Sequence, residues 1–128
     1  MKRLLFSLIL IAVISPFCYA AEYDLTGTWE GYFKTNQGKG YVTLEMEQDS
    51  EGKITGSWET VAGGYGTLSG ELKRRSFKFT FKQKNKNCSG KFSGRGKVST
   101  DGDQIKFSLS GSNCQGKQTG TGKVFLQD

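Results

Sequence analysis

From residue 21 onward, apolar and polar residues alternate in one short segment after another. Ser76 to Lys84 reads SFKFTFKQK, with Phe77, Phe79 and Phe81 at every second position and Lys78, Thr80 and Lys82 between and after them. A period of two is the signature of a strand with one face buried and one wet. The same reading predicts eight strands: about Leu25–Phe33, Tyr41–Gln48, Ile54–Val61, Gly66–Lys73, Ser76–Lys82, Ser89–Ser99, Gln104–Gly111 and Gln118–Gln127. Turn-forming clusters separate them: NQGKG, QDSEGK, AGG, KRR, KNKN, STDGD and SNCQG. No segment after residue 21 has a helical period. Gaps this short permit hairpins and exclude the long crossovers that parallel strands need. The expected fold is therefore all-β, an eight-stranded antiparallel up-and-down barrel, since closing a meander removes its exposed edges.

The alternation also assigns faces. The inward set is Leu25, Trp29 and Phe33; Val42, Leu44 and Met46; Ile54 and Trp58; Leu68 and Leu72; Phe77, Phe79 and Phe81; Phe92 and Val98; Ile105, Phe107 and Leu109; Val124 and Leu126. Glycines 27, 31, 56, 70, 94, 96, 120 and 122 share that face. A glycine within a strand costs about 0.5–1 kcal/mol. Eight of them imply either relief of curvature in a tight barrel, the simpler reason, or space beside large aromatic rings.

The first twenty residues follow a different rule. MKRLLFSLILIAVISPFCYA has a basic start, an apolar run from Leu4 to Ile14, Pro16 and a small residue at Ala20. This is the layout of a secretory signal peptide cleaved after Ala20, with residues 21–128 as a single barrel domain. The apolar run is too short to span a bilayer, which takes roughly 20 residues. Phe17 before Cys18 is bulkier than lipoprotein processing prefers. The expected location is periplasmic or secreted. In such an oxidising compartment the two remaining cysteines, Cys88 and Cys114, are expected to form a structural disulfide. A two-residue turn at Asp101 and Gly102 sets Val98 opposite Ile105 and, continued outward, Cys88 opposite Gln115. Cys114 then misses by one residue, so a bulge or irregular chain around SGSNC is expected.

The segment DLTGTWEGYF carries Gly27 and Trp29 in the G-x-W arrangement, and ITGSWET spans Ile54 to Thr60 after a hairpin. Together they resemble the first and third strands of the calycin barrels, the avidin-like and lipocalin-like proteins, with the avidin type nearer in length. The resemblance implies a small secreted barrel with a ligand in its lumen. The biotin-site residues of that group are not matched: Gly31 stands where they place an Asn, and Trp58 where they place a Tyr, with Thr60 at a neighbouring hydroxyl position. A ureido head group would be left with unpaired polar atoms at about 1–3 kcal/mol each. Biotin is therefore not expected.

Candidate chemistry is sparse. Histidine is absent, the cysteines are expected to be oxidised, and no phosphate loop, metal-ligand spacing or nucleophile motif appears. No enzyme activity, metal or cofactor is expected. Two binding readings remain. In the first, an apolar lumen takes a small apolar ligand against Trp29, Trp58, Phe79, Phe92 and Phe107. The second rests on charge. Residues 21–71 carry three basic and nine acidic side chains, while residues 72–128 carry thirteen basic and three acidic. Laid on the strands, this makes one wall acidic and one basic. Lys78, Lys82, Lys91, Arg95, Lys97 and Lys106 would form a face for an anionic macromolecule or protein partner, as in a surface-binding or inhibitor module. Nucleic acid is not expected there, because the aromatics interleaved with these lysines point inward.

Overall fold

Each alternating segment becomes one strand, and the tight turns between them set every strand antiparallel to the one before. The computed structural model describes residues 23–128; the expected leader, including its cleavage point and Cys18, lies outside the described residues. The strands are β1 (Gly27–Thr35), β2 (Gly38–Gln48), β3 (Lys53–Thr60), β4 (Tyr65–Lys73), β5 (Ser76–Asn85), β6 (Cys88–Val98), β7 (Gln104–Asn113) and β8 (Gly116–Leu126). They form a closed barrel in chain order. β8 returns to pair with β1, from Trp29 opposite Leu126 to Thr35 opposite Gly120. This is the all-β meander that the alternation predicts.

The two ends differ. At the closed end the core is filled by Leu25, Trp29, Met46, Ile54, Leu72, Phe77, Val98, Ile105 and Val124, all buried. Leu25 was expected to open the first strand, but residues 23–26 instead fold across this end as a plug. The plug is tied by hydrogen bonds. Leu25 N donates to Gln48 Oε1 (2.9 Å), Gln48 Nε2 donates to the Tyr23 carbonyl (3.0 Å), and Trp29 Nε1 donates to the Leu25 carbonyl (3.0 Å). Leu126, expected inside, sits on the rim at 37% exposure because β8 ends there.

Above the plug, aromatic rings stack along the lumen. Phe77, Phe79 and Phe81 on β5 follow one another at centroid distances of 5.3 and 5.0 Å. Phe107 meets Phe79 edge-on at 6.0 Å, and Trp58 stacks on Phe81 at 5.6 Å. The inward glycines serve both of the roles open to them. At Gly31, Gly56 and Gly66 a Cβ would strike a carbonyl of the adjacent strand, so the small residue permits close strand approach. Gly94 and Gly122 also lie beneath the rings of Phe79 and Phe107, which occupy the space a side chain would take. Room for aromatic rings is thus as much the reason as curvature.

The disulfide joins Cys88 to Cys114 with a Cα separation of 4.9 Å. Of the two routes expected, it takes not a bulge but the departure of the chain from the ladder at the end of SGSNC. The β6–β7 register holds from Val98 opposite Ile105 to Lys91 opposite Ser112 and then stops. Beyond it β7 stays regular against β8 through Asn113, and Cys114 is the first residue of the following turn. With the ladder ended, the turn backbone supplies the one-residue offset. The β6–β7 connection keeps the expected register but is wider than a two-residue turn: Gly102 N donates to the Ser99 carbonyl, and Ser99 N to the Gln104 carbonyl.

Candidate functional site

The open end of the barrel is hollow. A cavity of about 660 Å³ opens there, lined from within by Phe33, Val42, Trp58, Phe81, Phe92, Phe107 and Leu109. These positions are the upper continuation of the inward rows that pack solidly at the plug. The lumen stays open because glycine replaces bulk at several of its upper inward positions, Gly40, Gly66, Gly111 and Gly120 among them.

The mouth of the cavity is polar. Seven Asn and Gln residues line it; besides Gln37, Asn87 and Gln115 they are Gln83 and Asn85 at the end of β5, Asn113 at the end of β7, and Gln118 near the start of β8, and these last four are linked to one another. They hydrogen-bond in series. Gln118 Nε2 donates to Asn113 Oδ1 (3.0 Å), and Asn113 Nδ2 donates to Gln83 Oε1 (2.9 Å). Gln83 Nε2 in turn donates to Asn85 Oδ1 (2.9 Å), and Asn85 Nδ2 donates to the Gly63 carbonyl (2.9 Å). Thr60 adds a hydroxyl at the cavity wall, where its Oγ1 accepts from Gly64 N at 2.9 Å. Cys88 also lines the cavity, so the disulfide ties together the β5–β6 and β7–β8 turns that frame the mouth.

An apolar well under a ring of neutral amides can hold a molecule with an apolar or aromatic body. It can meet a polar head group with both donors and acceptors, since each amide carries a carbonyl oxygen and an NH₂. The carboxylates of β1 to β4 (Glu30, Glu45, Glu47, Glu59 and Glu71) all point to solvent. Among the described residues no three His, Cys, Asp or Glu side chains come together. The titration of Asp49 is displaced downward from the ordinary aspartate value because its carboxylate accepts the backbone N–H groups of Lys53 (2.9 Å) and Glu51 (2.8 Å) in the β2–β3 turn. That group belongs to a turn, far from the mouth in the chain's layout.

Of the lumen residues expected from the sequence, Trp58, Phe92 and Phe107 line the cavity. Trp29 is fully buried beside the plug, and Phe79 packs in the ring stack below the cavity. The amides were not singled out in the sequence, although parity pointed to them. Counting on by twos from Phe81 reaches Gln83 and Asn85, from Leu109 it reaches Asn113, and back from Val124 it reaches Gln118. The predicted fifth and seventh strands stop short of Gln83, Asn85 and Asn113 because polar residues look like turn, while Gln118 opens the predicted eighth strand without being marked as inward.

Lys78, Lys82, Lys91, Arg95, Lys97 and Lys106 are all exposed on the outer wall. They do not form one uniform patch. Lys78 faces Glu71 across β4–β5, whereas Lys82 faces Lys91 and Lys97 faces Lys106. The aromatics interleaved with these lysines, Phe77, Phe79, Phe81, Phe92 and Phe107, pack inward as expected, whereas Tyr32 on β1 and Tyr41 on β2 point outward at 48% and 65% exposure.

No family model matches the sequence, and no curated protein matches it. The chain is similar in structure to designed barrels. One, described as a redesigned beta barrel, has a TM-score of 0.66 at 16% identity, covering 81% of this chain and 92% of its own. Another, described as a de novo designed fluorescence-activating beta barrel, has a TM-score of 0.58 at 21% identity, covering 84% of this chain and 97% of its own. At these identities the likeness is one of fold, that of an eight-stranded barrel. It does not extend the G-x-W resemblance to the calycins.

Proposed function

We propose that this protein is a non-catalytic binding barrel that holds a small, largely apolar or aromatic molecule in its open end, in an exported setting. The observation that carries the reading is the cavity of about 660 Å³, apolar in its depth and amide-lined at its mouth. Its size lies within the range of roughly 300–1,000 Å³ that small-molecule sites occupy. Trp58 and Phe81, stacked at 5.6 Å, offer a flat wall to an aromatic ring. Gln83, Asn113 and Gln118 would receive a polar head group, and Lys39 and Lys86, which also line the cavity, favour one that is neutral or anionic.

Several features support a non-enzymatic role. The sequence contains no histidine, and the carboxylates of the described residues face outward. The leader-like first twenty residues and the disulfide support export. Kinship with the calycins would fit the same role and rests on Gly27, Trp29 and the ITGSWET segment.

The test is direct. Titration with a panel of fluorogenic aromatic dyes and fatty acids, followed by native mass spectrometry, should give saturable 1:1 complexes. The fluorescence-activating description of one similar structure makes such dyes a sensible first probe. Leu109→Trp, which fills the cavity from β7, should abolish binding while the barrel still folds. Binding that survives Leu109→Trp, or no saturable binding by any probe, would reject the reading.

A further inference from the structure

A second site lies on the outer wall, adjoining the lumen cavity, with which it shares Phe33, Lys39, Thr60, Ala62 and Phe107. Antiparallel pairing aligns outward side chains into rows perpendicular to the strands. One row runs Tyr41, Tyr32, Lys123, Lys106, Lys97 across β2, β1, β8, β7 and β6. Three lysines therefore stand directly opposite one another on adjacent strands. Like charges so placed repel and destabilise the sheet. Among the described residues the one ion pair within reach joins Lys73 to Glu71, elsewhere on the barrel.

The neighbouring row repeats the theme. It reads Lys39, Lys34, Thr121, Ser108, Arg95 over the same five strands. Both rows line a single outer concavity of about 1220 Å³, and no carboxylate lines it among the described residues. The two rows thus bring six cations, the hydroxyls of Thr121 and Ser108 and two exposed tyrosine rings to the concavity, which Thr60 and Ser76 also line. Lys123 also lies 5.9 Å from the Phe125 ring, which is 6.3 Å from Tyr32, so cation and aromatic surfaces are continuous.

We propose that this face binds a linear anionic polysaccharide, laid across the strands. Cations on successive strands repeat at about 4.8 Å, a spacing that suits a polymer bearing one acidic group on each sugar ring. The tyrosine rings offer flat faces to sugar C–H groups, and Thr121 and Ser108 offer hydrogen bonds to sugar hydroxyls. A single-stranded nucleic acid fits less well. It requires aromatics distributed along a basic track so that successive bases stack, whereas here both tyrosines stand together at one end of the lysine row. Five of the six cations are lysines, point charges without the planar fork with which arginine grips phosphate.

The experiment measures binding of a polygalacturonate oligomer at low salt by the folded protein, with an oligo(dT) of equal charge and phosphatidylserine vesicles as comparators. The oligomer should bind, and binding should weaken as salt rises. Lys97→Gln/Lys106→Gln/Lys123→Gln should raise Kd at least tenfold. Tyr32→Ala/Tyr41→Ala should raise it severalfold with an unchanged salt dependence. Lys82→Gln/Lys91→Gln/Lys117→Gln removes the same charge from another row and should raise it less than threefold. The urea midpoint of each variant reports folding; that of the first should equal or exceed the parent's, because a repulsion is removed. The proposal is overturned by no binding to the oligomer, by equal loss in the two triple variants, or by tighter binding to oligo(dT) or vesicles.

Discussion

Alanine at Gly94 and at Gly40 should have opposite consequences, because one glycine belongs to the filled part of the barrel and the other to the hollow part. In a strand interior, replacing glycine by alanine gains about 0.5–1 kcal/mol when the site is free. Neither site is free. A Cβ at Gly94 would lie 2.6 Å from Phe79 Cζ and 2.9 Å from its Cε1, and would also strike the Ser108 carbonyl of β7. Phe79 has nowhere to go, since Phe77, Phe81 and Phe107 pack around it at 5.3, 5.0 and 6.0 Å. Overpacking of this kind costs about 1–3 kcal/mol, so Gly94→Ala should lose about 1–2 kcal/mol net of the propensity gain. At Gly40 the three atoms nearest the Cβ all belong to the Phe33 ring, at 2.7, 3.0 and 3.4 Å, and that ring borders the cavity. Phe33 can swing into the lumen for about 0.5–1.5 kcal/mol of rotamer strain. Gly40→Ala should therefore leave stability within about 0.5 kcal/mol of the parent while weakening ligand binding. Equilibrium urea unfolding reads both. At an m-value of about 1–3 kcal/mol/M, the Gly94→Ala midpoint should fall by roughly 0.5–1 M. Equal losses at the two positions would refute the division of the barrel into a packed half and an open half.

Other consequences are simpler to state. Replacing Cys88 and Cys114 by serine opens a crosslink of sequence separation 26, and the loop-entropy relation gives a loss of about 3.5 kcal/mol; a loss below about 1 kcal/mol by urea unfolding would show that the denatured chain is not constrained by the bond. Lys106→Gln relieves repulsion from Lys97 and Lys123 and should raise the thermal midpoint by the equivalent of about 0.2–1 kcal/mol, with the gain shrinking at high salt. Asp49 titrates below its ordinary value in the folded protein, so its charged form contributes stability that is present above the unfolded pKa and lost as pH falls through the folded one. Thermal midpoints of the parent and Asp49→Asn should accordingly converge as pH drops from about 6 to about 2. Trp58 lines the cavity while Trp29 is sealed beside the plug; ligand should change tryptophan emission in Trp29→Phe and leave it unchanged in Trp58→Phe.

The sequence by itself determined the strand count, the pairing order and nearly every buried position. Alternation such as Phe77, Phe79, Phe81 has one physical solution in water, and turns as short as those after β1, β4 and β5 leave one antiparallel order. It pointed to the disulfide partners by count, since Cys88 and Cys114 are the two cysteines after residue 20. What it left open was decided by the closed sheet. Whether the lumen is filled depends on how far inward side chains from eight strands reach across a shared space, and no single strand records that. Bulk gathered at the Trp29 end, while at the other end glycines and the amides of Gln83, Asn85, Asn113 and Gln118 left a well. The outer row divides between the two: the β6–β7 and β7–β8 hairpins set Lys97, Lys106 and Lys123 side by side, and closure of β8 on β1 is what brings Tyr32 and Tyr41 to the end of that row. Local periodicity fixes which way a side chain points. Which side chains share a space is fixed by pairing between strands far apart in the chain, and that is a property of the barrel as a whole.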